Sequence, residues 1–202
     1  TLFAQWTRNA ADPARSTLAP AESTIVANGS DTQLLTVFAK DAEGNDLHWG
    51  GAVVSIVRLD GSGTIGPVKD NDDGSYTAKV TAPSSVGTGS FEARIAGAAL
   101  PHDALVIYTT GQAKGLSIHA GGGQTAPVGS SVSVPPSVIV TDESGNPVAG
   151  VEVTFEVGSG GGSIDKGAKP DANKRPGVPE RPNAVPGVSK GAIVITVAPG
   201  KG

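Results

Sequence analysis

The chain writes one pattern twice. KDAEGNDLHWGGAVVSIVRLDGSGTI, residues 40–65, returns as TDESGNPVAGVEVTFEVGSGGGSI, residues 141–164. Asp41, Gly44 and Asn45 correspond to Asp142, Gly145 and Asn146 at an offset of 101, and Ile65 corresponds to Ile164 at an offset of 99. The first copy therefore carries two extra residues near HWGG. Repetition at this distance predicts tandem modules of about 100 residues each, the ordinary size of one domain.

Before, within and after the first copy run short apolar segments of a single kind: STIVA, TQLLTVFAK, AVVSIVRL, SYTAKVTA, GSFEARIAG and DALVIYTT. They alternate. Leu35, Val37 and Ala39 share one face of the second run, opposite Leu34, Thr36 and Phe38; Tyr76, Ala78 and Val80 lie opposite Ser75, Thr77 and Lys79. That is the pattern of half-buried strands. The turn formers NGSD, DAEGND, DGSG, DNDDGS and SSVGTG separate them. With 29 glycines, 15 prolines and only eight aromatic residues in 202, and no sustained 3.6-residue period, the chain reads as all-β with little or no helix. Short strands punctuated this regularly predict sandwiches. TTGQAKG, near 109–115, reads as a joint, and the runs KGLSIHA, SVSV, PSVIVTD and VEVTFEV follow it. Pro135 and Pro136 place that piece at a strand start, bulge or edge. The expected architecture is two tandem immunoglobulin-like β-sandwiches, the second incomplete or irregular. Residues 1–15 form an extension, 16–110 the first domain and 111–202 the second, with a proline- and glycine-rich segment at 158–190.

Several chemistries are excluded by composition. Without cysteine there are no disulfides, thiolate metal sites or thiol nucleophiles. A net charge of −4 argues against a broad nucleic-acid surface. No apolar run approaches the roughly 18 residues of a membrane span, so no membrane insertion is expected of this segment. A start at Thr1, with neither Met nor a leader, reads as a processed or excerpted piece.

Candidate sites are few. Asp70, Asn71, Asp72 and Asp73 precede Gly74, and clustered oxygens suit Ca²⁺. The spacing departs from an EF-hand, whose glycine would fall one place later and whose distal Glu is missing, and a hairpin turn with Gly74 at positive φ explains the same residues. In DAEGN and DESGN, likewise, Asp caps a turn whose Asn and Gly tolerate left-handed backbone. His48 and Trp49 occupy the two-residue insertion, where an exposed ring offers binding area to a sugar or a protein, or else plugs the end of the sandwich. His48, His102 and His119 lack metal-like spacing. GSGTIG, residues 61–66, matches the dinucleotide fingerprint in form, but Pro67 and a strand-like run follow where the fingerprint requires a helix. No G-x-S-x-G elbow is present. Catalytic residues, metals and cofactors are accordingly expected to be none. Residues 158–190 hold seven glycines and five prolines, too little apolar surface to fold alone.

D-x-x-G-N-P-V-x-G-V-x-V-T-F, ending in a glycine-rich stretch and Ile164, resembles the bacterial immunoglobulin-like domains of intimin and invasin adhesins. DNDDGSYTAKVTAPSSVGTGSFEARIAG resembles the later strands of the same family. The resemblance covers 16–110 and 111–164, and departs after Ile164, where only GAIVITVAP reads as a strand. It implies a non-enzymatic, extracellular or cell-surface bacterial module, structural or adhesive, with protein partners or copies of itself and a surface glycan as the further option. Two alternatives stand beside it: a subunit of a surface filament, surface layer or virion decoration, and a carbohydrate-binding accessory module. An open second sandwich would expose an edge, which strand exchange through Leu2, Phe3 and Trp6, or through Ile193, Ile195 and Val197, would cover.

Overall fold

Side chains that alternate between two faces need a second sheet to bury one of them, and the first 111 residues supply it. The computed structural model describes residues 9–164 and the backbone of Ile193–Val197. Among these, every regular element is a strand. Leu2, Phe3, Trp6 and most of the proline- and glycine-rich segment lie outside the described residues. There are two compact units. One takes the residues up to Gly111 together with Asp142–Asn146; the other takes Gln112–Thr141 and the residues from Pro147 on.

In the first unit, one sheet orders β1 (Thr17–Ala19), β3 (Thr32–Phe38) and β7 (Ser75–Thr81), with the short β5 (Thr64–Ile65) and β6 (Lys69–Asp70) both paired to β7. The second sheet orders β2 (Glu22–Val26), β10 (Ala104–Thr109), β8 (Gly87–Ile95) and β4 (Val54–Gly61), with β9 (Ala98–Ala99) folded back on β8. The chain passes from one sheet to the other at the cis peptide Ala19–Pro20. Every pairing is antiparallel except that of β2 with β10, which is parallel from Glu22↔Leu105 to Val26↔Thr109. GSGTIG spans the turn between β4 and β5.

The registers define two ends. Phe38 faces Ser75 and Val54 faces Ile95 at one end, which carries the loops 39–53, 71–74 and 96–97. Thr32 faces Thr81 and Val26 faces Thr109 at the other, which carries 27–31 and 82–86.

For the runs of β3 and β7, the inward set is the one the alternation names. Leu35, Val37, Ala39, Tyr76, Ala78 and Val80 are buried from the first sheet, and Phe91, Ala93, Ile95, Val106 and Tyr108 from the second. Leu34 and Phe38, on the opposite face of β3, remain about half exposed. Burying each large apolar side chain contributes about 1.5–3 kcal/mol, and the two tyrosines bring a hydroxyl that needs a partner. Ala52 N–H donates to Tyr76 Oη at 2.9 Å, and Tyr108 Oη donates to Ser62 O at 3.1 Å. Each phenol thus ties down a loop, one at each end, and burial raises the pKa of both.

In the second unit, β11 (Gly115–Ala120) pairs antiparallel with β12 (Ser137–Thr141) across a bulge between Ile118 and Ala120. β12 begins directly after Pro135 and Pro136, which lack the N–H a ladder requires. β13 (Val153–Val157) pairs antiparallel with β14 (Ile193–Val197) of the same chain. Val140 is buried.

Candidate functional site

Each of the repeated loops is built around a buried aspartate that accepts several hydrogen bonds. In DAEGN, Asp41 is only 3% exposed. Its N–H donates to Asn45 O at 2.9 Å, and Gly44 N–H donates to Asp41 O at 2.9 Å. Its Oδ1 accepts from Glu43 N at 3.1 Å and Asn45 N at 2.8 Å, while Asn45 Nδ2 reaches Oδ1 at 3.2 Å and Oδ2 at 3.1 Å. Asn9 Nδ2 completes the set, donating to Oδ2 at 2.9 Å. These donors favour the ionised form. The Asn45 amide first, then that of Asn9, hold the Asp41 pKa down at about 2. Gly44 turns the chain at φ +88°, a conformation that side chains with a Cβ adopt at a cost.

DESGN, Asp142–Asn146, belongs to the same compact unit and repeats the geometry. Asp142 N–H donates to Asn146 O at 2.9 Å, Gly145 N–H to Asp142 O at 3.2 Å, and Asp142 Oδ1 accepts from Ser144 N and Asn146 N, each at 2.9 Å. Gly145 has φ +87°. In the place of Asn9, Gly111 N–H donates to Asp142 Oδ2 at 2.9 Å, and this amide is the main reason that the Asp142 pKa is lowered.

The two asparagines differ. Asn45 is exposed. Asn146 is 8% exposed, and its Nδ2 donates to Ala27 O at 3.2 Å and Ser84 O at 3.0 Å while its Oδ1 accepts from Val86 N at 3.4 Å. All three partners are backbone atoms at the end of the sandwich opposite the DAEGN loop.

At the DAEGN end lies an open cavity of about 330 Å³ lined by Asn9, Leu47, Trp49, Tyr76 and Ile95, among others. Trp49 is half-buried and packs against the core, whereas His48 is exposed. Asp70 braces this loop: its Oδ2 accepts from Gly51 N at 2.7 Å and its Oδ1 from Asp72 N at 2.9 Å. Asp73 accepts from the Ser75 hydroxyl at 2.6 Å and the Ser75 amide at 2.9 Å, and the hydroxyl is the larger cause of its lowered pKa. Gly74 has φ +88°, and a Cβ there would sit 1.8 Å from Leu47 O, so the loops 47–53 and 70–74 are fitted to one another. His102 and His119 are exposed. Among the described residues, no three His, Asp or Glu side chains gather as a metal site. Ile193, Ile195 and Val197 lie on β14, opposite Val157, Phe155 and Val153.

Sequence reasoning identified the turn chemistry of both loops but not the destination of Asn146, whose partners lie 119 and 62 residues away. A polar residue that recurs at an offset of 101 within otherwise variable loops was the available signal.

A family model described as invasin, domain 3, matches residues 12–111. No curated protein sequence matches the chain. The crystal structure of invasin, a bacterial integrin-binding protein, superposes with a TM-score of 0.57 at 20% identity, over 82% of this chain and 34% of that one. FdeC, a broadly conserved adhesin of Escherichia coli, superposes with a TM-score of 0.50 at 21% identity, over 76% of this chain and 50% of that one. The chain thus spans a third to a half of the length of these proteins, and the likeness is one of fold.

Proposed function

We propose that the chain, whose residues 12–111 match the family model of invasin domain 3, is a non-catalytic immunoglobulin-like segment of a bacterial cell-surface adhesin, with protein partners. The family match over one whole sandwich carries this reading. The use of the acidic side chains supports it: Asp41, Asp70, Asp73 and Asp142 all direct oxygens to amides or hydroxyls of the chain itself, which braces loops rather than arming a reaction. Antibodies raised against residues 9–111 test it on intact cells of the source bacterium. Labelling that is removed by external protease is the expected result. Labelling only after permeabilisation would overturn the surface assignment.

A further inference from the structure

The DAEGN loop has the geometry of DESGN without its burial. We propose that Asn45 and its loop dock onto the backbone-lined end of another sandwich of this fold, one joined to the chain ahead of Asn9. This rests on the surface-module reading and gives that module a specific neighbour.

Asn146 shows what the loop motif does when it is covered. Its amide group takes two carbonyls and one N–H, those of Ala27, Ser84 and Val86. Asn45 sits on the same frame, fixed by the same Asp and the same left-handed glycine, with its amide exposed. Among the described residues, its side chain bonds to Asp41 alone.

The receiving surface is made of main-chain atoms at the termini of β2, β7 and β8. A sandwich of this topology presents them whatever side chains it carries, so the partner need share only the fold. Donor loop and receiving end also lie at opposite ends of the first sandwich. A contact of this kind therefore propagates from module to module in one direction, as a heterologous interface does.

The residues before the loop identify which module is meant. FAQWTRN, residues 3–9, aligns with LVIYTTG, residues 105–111, placing Trp6 at Tyr108, Thr7 at Thr109 and Asn9 at Gly111. The alignment is matched by contact: Asn9 Nδ2 occupies Asp41 Oδ2 as Gly111 N occupies Asp142 Oδ2. The sequence entering the first sandwich is thus written like the closing strand of a sandwich.

The chain with a second copy of residues 9–110 inserted between Arg8 and Asn9 tests the proposal. The native sequence has no cysteine, so Ser55→Cys, on the exposed side of β4, admits one spin label in each copy. Pulsed dipolar spectroscopy should give one narrow distance distribution. Asn45→Ala or Asn45→Asp in the original copy should broaden it at least twofold, as should Val86→Pro in the inserted copy, which removes the amide hydrogen from the receiving side. Should the Asn45 variants fail to melt cooperatively, Val86→Pro reads the same contact. A distribution already broad in the parent fusion, or one that neither class of variant changes, overturns the proposal. Because the measurement involves no cells, its failure leaves the surface assignment standing, and failed antibody labelling leaves the docking result standing.

Discussion

DAEGN and DESGN are two copies of one device in two surroundings. Both close five residues around an aspartate, with glycine φ values of +88° and +87°, and both deliver an asparagine side chain at the same point. In one that side chain is exposed; in the other it is buried against carbonyls from distant loops. The internal geometry of the loop belongs to its five residues, and its use belongs to whatever covers it.

The sharpest way to break the comparison is to remove the aspartates. Asp41→Ala leaves the amides of Glu43 and Asn45 and the side chain of Asn9 without their acceptor, and should lower the melting temperature of the first sandwich by roughly 10 °C. Asp142→Ala strips the acceptor from Gly111, Ser144 and Asn146 but should lower that same transition by less, about 5 °C, because its loop caps the sandwich rather than continuing one of its strands. Scanning calorimetry of both variants decides, and equal shifts would mean that the two loops are equivalent supports.

Acid should act next. The Asp41 pKa falls from 3.8 to about 2 on folding, so its ionised form stabilises the native state at pH values above 3.8, and that contribution is lost as pH falls through 2. Asp142 and Asp73 are shifted in the same direction. Melting temperatures should therefore be flat above about pH 5 and fall between pH 4 and pH 2. Asp41→Asn should flatten most of that fall; an unchanged acid slope in this variant would detach the loop from acid stability.

The asparagines sharpen the contrast on a finer scale. Asn146→Ala leaves two carbonyls without their donor and should cost about 1–2 kcal/mol in urea unfolding. Asn45→Ala removes part-buried bonds to Asp41 but strands no carbonyl of a distant loop, and should cost less, about 0.5–1 kcal/mol in the chain as it stands. Similar costs for the two would show that burial of Asn146 contributes nothing beyond the turn.

What the sequence revealed follows the same division between local and distant. The faces of β3 and β7 could be read from alternation alone, because a period of two fixes which residues share a face. The DxxGN turns could be read because Asp, Gly and Asn act within five residues. Trp49 was harder: an aromatic in an insertion reads equally as a binding ring or a plug, and its half-burial comes from packing on a core assembled from distant parts of the chain. β1 was missed altogether. TLA is three residues long, and Pro20 separates it from STIVA, so one continuous stretch serves two sheets. Pairing of β2 with β10 across more than 80 residues has no local signature.

That parallel pairing has a mechanical consequence. A stretching force enters the first sandwich ahead of β2 and leaves it after Thr109, at the far end of β10. Because the two strands run the same way, over Glu22↔Leu105 to Val26↔Thr109, tension slides them lengthwise past each other. The bonds across this seam bear the load together instead of opening one after another, as they would in a hairpin pulled from its free ends. Once β1 has come away from β3, a chain under tension would load this five-residue seam, built almost wholly from backbone, in shear.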